Sequence, residues 1–106
     1  MGKLIVLIIP VLSTLASAAG TRLWPNGQNF NRVFPGKVDG TVAEKLAFFL
    51  SNDLFPTCDS VIDMHSGGRS MHFIPSITMV WVSNVEMRKE MLRQSLMCKS
   101  EFTLLG

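Results

Sequence analysis

The stretch Thr41–Leu50, T-V-A-E-K-L-A-F-F-L, decides the fold because it predicts a helix between two apolar runs. Thr41 and Glu44 have the spacing of a capping box, in which the threonine hydroxyl accepts from an early helix amide and the glutamate reaches back. The helix is expected to run to about Leu54, since Pro56 stops it. The face that helical spacing predicts to be buried consists of Val42, Leu46, Phe49 and Leu50.

The segments on either side of this helix predict an α/β protein. An aliphatic run before it and a second run after it, which ends at Ser-Gly-Gly, both have the character of buried strands. A weaker strand follows, because Pro75 interrupts it, and then a second helix and a last strand. These segments are Leu4–Ile9, Ser60–His65, Phe73–Val82, Glu86–Leu96 and Phe102–Leu105. Strands that alternate with helices favour an α/β sheet, in which ligands bind beyond the carboxyl ends of the strands.

Composition narrows the classes of function. The 106 residues suffice for one small domain, and 47% hydrophobic with 17% charged residues argues against disorder. A net charge of +2 without a basic stripe gives no reason to expect nucleic-acid binding. Cys58 and Cys98 lack the spacing of a zinc or disulfide framework, so we expect both to be reduced and partly buried.

The N-terminus supports two interpretations. A basic start, the apolar run Leu4–Leu12 and the sequence Ala16-Ser17-Ala18 imitate a secretory signal peptide. The apolar run is too short to span a bilayer, so no membrane association is expected. The alternative is a buried parallel strand that Pro10 ends. If residues 1–18 are a signal peptide, the protein is a small secreted binding or structural protein.

His65 and two arginines are the candidates for chemistry. Asp63 and His65 are two residues apart and would share one face of a strand, where the carboxylate could orient the imidazole. A single histidine in this place is either a metal ligand or a hydrogen-bonded surface residue, and His72 does not complete a metal-binding pair. Arg22 and Arg32 lie in the long irregular stretch 13–40. They are suited to a carboxylate or oxyanion, or are solvated loop charges.

Four segments together resemble a known family. They are Gly20-Thr21-Arg22, then Asn29-Phe30-Asn31-Arg32-Val33-Phe34-Pro35-Gly36, then Gly40-Thr41, and Asp63-Met64-His65-Ser66-Gly67-Gly68. In this order and spacing they resemble the succinylglutamate desuccinylase/aspartoacylase family of zinc-dependent deacylases, which is related to zinc carboxypeptidases. Within the family the sequence is most similar to the branch that deacylates N-acetyl-diaminobutyrate.

The resemblance assigns roles to four residues. His65 matches a zinc ligand, and Arg22 matches the arginine that polarises the scissile carbonyl and stabilises the oxyanion. Asn31 and Arg32 match the pair that holds the substrate carboxylate. The implied reaction is hydrolysis of the amide bond of a small N-acyl amino acid by zinc-activated water. The implied fold is a three-layer, zinc carboxypeptidase-like domain with a mostly parallel central sheet.

The sequence also departs from the family pattern. Two zinc ligands in an H-G-x-x-E segment and the catalytic glutamate have no counterpart here, since none of the four glutamates (Glu44, Glu86, Glu90 and Glu101) matches that motif. A catalytic zinc needs three protein ligands and a water. We therefore expect residues 1–106 to be a single partial catalytic domain, truncated and inactive alone. The matching of Pro10 to Arg22 favours a cytoplasmic protein over a secreted one.

Overall fold

The computed structural model describes residues 2–106, which divide into two compact units at Ile62 and Asp63. The helices are α1 (Thr14–Ala18), α2 (Val42–Phe49) and α3 (Val85–Met97), and the strands are β1 (Ser76–Met79) and β2 (Phe102–Leu105). Two short 3-10 turns and one π-helical turn complete the regular structure; they cover Phe30–Arg32, Phe55–Thr57 and Leu50–Leu54.

Helix α1 lies inside the stretch that the sequence predicted to be irregular. The Ser13 side chain accepts a hydrogen bond from the Ala16 amide at 3.2 Å and caps the helix. The helix ends in a Schellman motif, in which the Thr21 amide donates to the Ala16 carbonyl and Gly20 takes a φ of +63°. Ser13 and Gly20 are therefore start and stop signals that bracket a short helix.

Helix α2 begins as predicted and continues into the π-helical turn up to Leu54. Both halves of the capping box are present: the Thr41 hydroxyl accepts from the Glu44 amide at 3.3 Å, and the Glu44 carboxylate accepts from the Thr41 amide at 2.8 Å. The glutamate therefore has the structural role that its spacing predicted.

The buried face of α2 differs from the prediction. Ala43 and Ala47 are fully buried and Leu50 is 3% exposed, whereas Val42 is 69% exposed and Phe49 48% exposed. The reason is the close approach of the preceding loop. A Cβ at Gly36, whose φ is +84°, would collide with the Glu44 carbonyl oxygen, the Phe48 amide nitrogen and the Ala47 carbonyl carbon. The small side chain of Ala47 suits this approach, whereas Val42 and Phe49 lie on the exposed side of the helix.

The second unit contains a β-α-β arrangement. Strands β1 and β2 pair in parallel, with Ser76 opposite Phe102 and Met79 opposite Leu105, and α3 connects them. Parallel neighbours need such a crossover connection. The pairing extends beyond the strands through the Gly106 amide, which donates to the Met79 carbonyl. The predicted α/β character is confirmed as a small α/β structure with a two-stranded parallel sheet.

Two predicted strands do not form. Residues 2–9 and 61–65 have no regular secondary structure, and the large aliphatic side chains of Leu4–Ile9 are 45% to 91% exposed. A strand exists only through hydrogen bonds to a neighbouring strand. Within residues 2–106 the one extended ladder joins β1 to β2, and neither apolar run has a place in it.

Two smaller points concern the cysteines and the membrane. Cys58 and Cys98 are free thiols, as predicted, but both are exposed rather than partly buried. Across the described residues, no helix combines the length and the apolar character needed to cross a bilayer.

Candidate functional site

A small hairpin in the first unit carries the predicted carbonyl-polarising and carboxylate-binding residues. Leu23 and Asn29 form an antiparallel bridge, and the Trp24 amide donates to the Gln28 carbonyl at 2.9 Å. Arg22 directly precedes one partner of the bridge, and Asn31 and Arg32 follow the other. The structure therefore places these three residues on the two limbs of one hairpin.

Local structure fixes the limb that enters the hairpin. The Schellman motif at the end of α1 directs the chain out of the helix one residue before Arg22. The Thr21 hydroxyl then accepts from the Leu23 amide at 3.1 Å and so constrains the residues on both sides of Arg22. The guanidinium itself is exposed, as a group that contacts a ligand must be.

The limb that leaves the hairpin holds Asn31 and Arg32 in the 3-10 turn Phe30–Arg32. Asn29 caps this turn, because its side-chain oxygen accepts from the Asn31 amide at 3.1 Å and its carbonyl accepts from the Arg32 amide at 2.9 Å. Both side chains are exposed. No carboxylate within residues 2–106 forms an ion pair with Arg22 or Arg32, so both guanidinium groups are available to an anionic ligand.

A series of aromatic rings supports the hairpin. The ring of Trp24 lies 6.0 Å from that of Phe30, Phe30 meets Phe34 edge-on at 5.0 Å, and Phe34 stacks on Phe55 at 6.3 Å. These separations are in the range of favourable aromatic contacts. Trp24 is 8% exposed, and its indole Nε1 has no hydrogen-bond partner in the described part of the chain. Packing therefore outweighs the cost of one unsatisfied donor.

The turn Phe34-Pro35-Gly36 closes the loop against α2. The peptide bond between Phe34 and Pro35 is cis, the Gly36 amide donates to the Val33 carbonyl at 2.8 Å, and the Lys37 amide donates to the Glu44 carbonyl at 3.1 Å. The backbone makes a tight turn here, with Gly36 at a φ of +84°. Its glycine is needed because no side chain fits between loop and helix.

The predicted metal ligand His65 belongs to the second unit and lies in an exposed loop rather than at a strand end. Its Nε2 is 2.7 Å from Asp63 Oδ2, and the two side chains are 60% and 73% exposed. The pairing of carboxylate and imidazole that the sequence suggested is therefore present. Gly68, with a φ of +72°, makes the turn that follows.

Zinc does not fit the residues that are present. Its sites in proteins use three or four nitrogen, sulfur or carboxylate ligands. Within residues 2–106, no group of three histidine, cysteine, aspartate or glutamate side chains is placed to hold a metal ion. The Nε2 atom of His65 is already paired with the Asp63 carboxylate. His65 can thus supply one ligand at most, and we derive no step through zinc from this chain.

Sequence reasoning missed two residues that shape this region. Gln28 joins the hairpin to α2 through a hydrogen bond to Thr41, and no local pattern announces such a contact. Trp24 was not among the residues predicted to matter, although it is the most buried aromatic residue of the hairpin.

The chain thus contains a β-α-β arrangement, as in part of an α/β domain. It also contains a hairpin whose asparagine and arginine side chains are exposed donors for an anionic ligand. A family model described as the succinylglutamate desuccinylase/aspartoacylase catalytic domain matches residues 3–99. The chain therefore belongs to this family of deacylases, and the resemblance drawn from the sequence is confirmed.

Individual relatives agree with this assignment. The N-alpha-acetyl-L-2,4-diaminobutyric acid deacetylase of Halomonas elongata is 48% identical over 71 residues, which are 66% of this chain and 21% of the relative. The crystal structure of a succinylglutamate desuccinylase/aspartoacylase from Rhodobacter sphaeroides matches 87% of this chain at a TM-score of 0.80 and 32% identity. An aspartoacylase family protein from Mesorhizobium loti matches 92% at a TM-score of 0.80 and 38% identity.

The relatives are much longer than the matched region. The chain spans 21% of the Halomonas enzyme, 28% of the Rhodobacter protein and 31% of the Mesorhizobium protein.

Proposed function

We propose that this chain supplies the carboxylate-binding and carbonyl-polarising part of a zinc-dependent hydrolase that cleaves the amide bond of a small N-acyl amino acid. The observation that carries the proposal is the Leu23–Asn29 bridge, which places Arg22, Asn31 and Arg32 on one hairpin. The identity to a deacetylase named for N-alpha-acetyl-L-2,4-diaminobutyric acid supports an acetylated amino acid as substrate.

The roles of the three hairpin residues follow from their chemistry. Arg32 offers two parallel N–H donors to a substrate carboxylate, and the amide of Asn31 adds a neutral donor beside it. Arg22 is the cation for the acyl oxygen, where charge develops as the carbonyl becomes tetrahedral. Because both guanidinium groups are exposed and make no ion pair with the described residues, ligand binding disrupts no existing salt bridge.

His65 is proposed as one zinc ligand of the complete enzyme. Zinc, when bound, supplies a Lewis acid and an activated water for amide hydrolysis. Since the described residues do not form a full ligand set, the 106-residue chain is proposed to be inactive alone and to form part of a three-layer carboxypeptidase-like domain. Metal analysis of the purified chain checks this. We expect no tight zinc at a one-to-one ratio, and stoichiometric zinc lost in His65→Ala would contradict it.

The decisive experiment is a chimera. Residues 3–99, which the family model matches, replace their counterpart in the Halomonas elongata deacetylase, and hydrolysis of N-alpha-acetyl-L-2,4-diaminobutyrate is measured. We expect activity, about a hundredfold loss of kcat in Arg22→Ala, and a raised KM with a smaller kcat change in Arg32→Ala. Lys45→Ala, which removes an exposed cation of α2, is the matched control and should change neither constant.

Two outcomes of this experiment would contradict the proposal. A chimera that folds and binds zinc without hydrolysing the substrate would exclude this substrate class for the segment. Equal loss in Lys45→Ala and Arg32→Ala would show that general charge, rather than the hairpin, is being measured.

The structure also bears on the secreted alternative. Cleavage after Ala18 would remove the Ser13 cap and helix α1, including the carbonyl of Ala16 that receives the Thr21 amide. The chain leading into Arg22 would then lose its anchor. We therefore propose that residues 1–18 are retained in a cytoplasmic protein. N-terminal sequencing of the product tests this, and a mature chain beginning at Ala19 would refute it.

A further inference from the structure

Gln28 connects two parts of the first unit that lie apart in sequence. Its side-chain oxygen accepts a hydrogen bond from the Thr41 hydroxyl at 2.6 Å, across 13 residues of chain. The same oxygen accepts from the side-chain Nδ2 of Asn26 at 2.7 Å. In return, the side-chain oxygen of Asn26 accepts from the backbone amide of Gln28 at 3.1 Å. One amide oxygen thus joins the hairpin tip to the start of α2.

The Thr41 hydroxyl links this contact to the helix cap. A hydroxyl has one hydrogen to donate, and here that hydrogen points to Gln28. Its lone pairs remain available for the Glu44 amide, which donates to it at 3.3 Å. The Thr41 hydroxyl thus donates to Gln28 and accepts from the Glu44 amide. Loss of the Gln28 side chain therefore leaves the capping bond in place.

The backbone of Gln28 acts on the residues that the proposed function needs. Its carbonyl accepts the Trp24 amide and closes the hairpin, and the next residue, Asn29, pairs with Leu23 and caps the turn of Asn31 and Arg32. A displacement of Gln28 is thus passed directly to the two limbs that carry the functional side chains.

We propose that Gln28 is a positioning residue: by hydrogen bonding to Thr41 it holds the hairpin against the start of α2 and sets the orientation of Asn31 and Arg32 toward a substrate carboxylate. The inference rests on the proposed function for its ligand. Gln28 belongs to no motif that the sequence analysis identified, and its proposed role involves no contact with the substrate.

The test uses the full 106-residue chain and two substitutions at one position. Gln28→Leu keeps the size of the side chain and removes both acceptor bonds, whereas Gln28→Glu retains an oxygen that accepts both. Gln94→Leu on α3 is the control for a half-buried, hydrogen-bonded glutamine lost from the other unit. Two quantities are measured by NMR: hydrogen exchange of backbone amides, and affinity for N-alpha-acetyl-L-2,4-diaminobutyrate followed at the Arg32 signals.

In Gln28→Leu we expect about fivefold faster exchange at the Trp24 and Arg32 amides and about fivefold weaker ligand binding. The Lys45 amide, which donates to the Thr41 carbonyl within α2, should change less than twofold. Gln28→Glu should restore both quantities to within about twofold of the unmodified chain, and Gln94→Leu should leave them unchanged.

Each remaining result would overturn the inference. Unchanged binding or unchanged hairpin exchange in Gln28→Leu removes the positioning role, and equal acceleration at Lys45 shows general destabilisation instead. If the unmodified chain does not bind the ligand, the proposed function fails, and the inference fails with it. The same holds if the Arg32→Ala variant binds the ligand as tightly as the unmodified chain does. If the unmodified chain binds the ligand and Gln28→Leu binds it equally well, only the inference about Gln28 fails.

Discussion

The two units hold their candidate residues in different ways. In the unit that ends at Ile62, Arg22, Asn31 and Arg32 lie on a hairpin that is closed by backbone bonds and supported by packed aromatic rings. In the unit Asp63–Gly106, His65 lies in an exposed loop, and its bond to Asp63 joins residues two apart. The residues proposed to bind the substrate thus lie on a segment that tertiary contacts support, whereas the bond between His65 and Asp63 is local.

This difference matches what each kind of site requires. Recognition of a carboxylate needs a few donors with fixed orientation, which one loop packed on one helix can provide. A zinc site needs ligands from several segments at once. The contrast predicts that substitutions in the first unit will have large structural effects and that comparable changes in the second will have small ones.

The largest effect is expected for Gly36→Ala. The new Cβ would collide with backbone atoms of α2, including the Ala47 carbonyl carbon at 2.9 Å, and no side-chain rotation relieves a clash with backbone. Together with the positive φ, we expect a loss of about 3–4 kcal/mol in the free energy of unfolding. Urea unfolding followed by Trp24 fluorescence, in a Trp81→Phe background, measures it.

Gly27→Ala is the matched control. Gly27 has nearly the same φ, +83°, but nothing lies within 4 Å of its Cβ position. It should therefore cost only the backbone strain, about 1 kcal/mol. Equal losses in the two variants would show that the loop does not pack on α2 as described.

The next effect tests the corrected buried face of α2. Leu50 is 3% exposed, and Leu50→Ala should lower the free energy of unfolding by about 2–3 kcal/mol through lost packing. Val42 was predicted to be buried and is 69% exposed, so Val42→Ala should change it by less than about 0.5 kcal/mol. The same fluorescence-detected unfolding compares them, and a larger loss in Val42→Ala would restore the original prediction.

Helices α2 and α3 could be predicted well because their signals are local. The capping box at Thr41 and Glu44 is present as predicted, and α3 runs over Val85–Met97 against a prediction of Glu86–Leu96. Strand β2 forms where predicted. The run Leu4–Ile9 has the composition of a strand but no partner among the described residues, and composition carries no information about partners.

The candidate residues could be found through motifs, whereas the contacts that support them could not. The motifs that contain Arg22, Asn31, Arg32 and His65 indicated the family, and the family model that matches residues 3–99 confirms it. The bond from Thr41 to Gln28 depends on how far a loop folds back, which no periodicity reports. Ser13 and Gly20 did carry readable signals for α1, and a search for paired caps would have found that helix.

The smallest effect concerns the second unit and its dependence on pH. The pKa of Glu90 is lowered from 4.5 to about 2, first because the Arg93 side chain donates hydrogen bonds to it and second because Gln94 does. A carboxyl whose pKa is lower in the folded state stabilises the fold above its unfolded pKa and loses that contribution as pH falls. The relevant window therefore lies between pH 4.5 and about pH 2.

Glu90→Gln should make α3 slightly less stable than in the unmodified chain at pH 6, and the difference should vanish near pH 2. The effect is small because both partners lie in solvent, where an ion pair along a helix contributes little. NMR titration of the Glu90 carboxyl checks the cause, and Arg93→Gln should move its pKa back toward 4.5. A Glu90 pKa near 4.5 in the unmodified chain would mean that the bond to Arg93 does not persist in solution. Local pairing would then contribute nothing measurable to α3, and the contrast with the hairpin would become sharper.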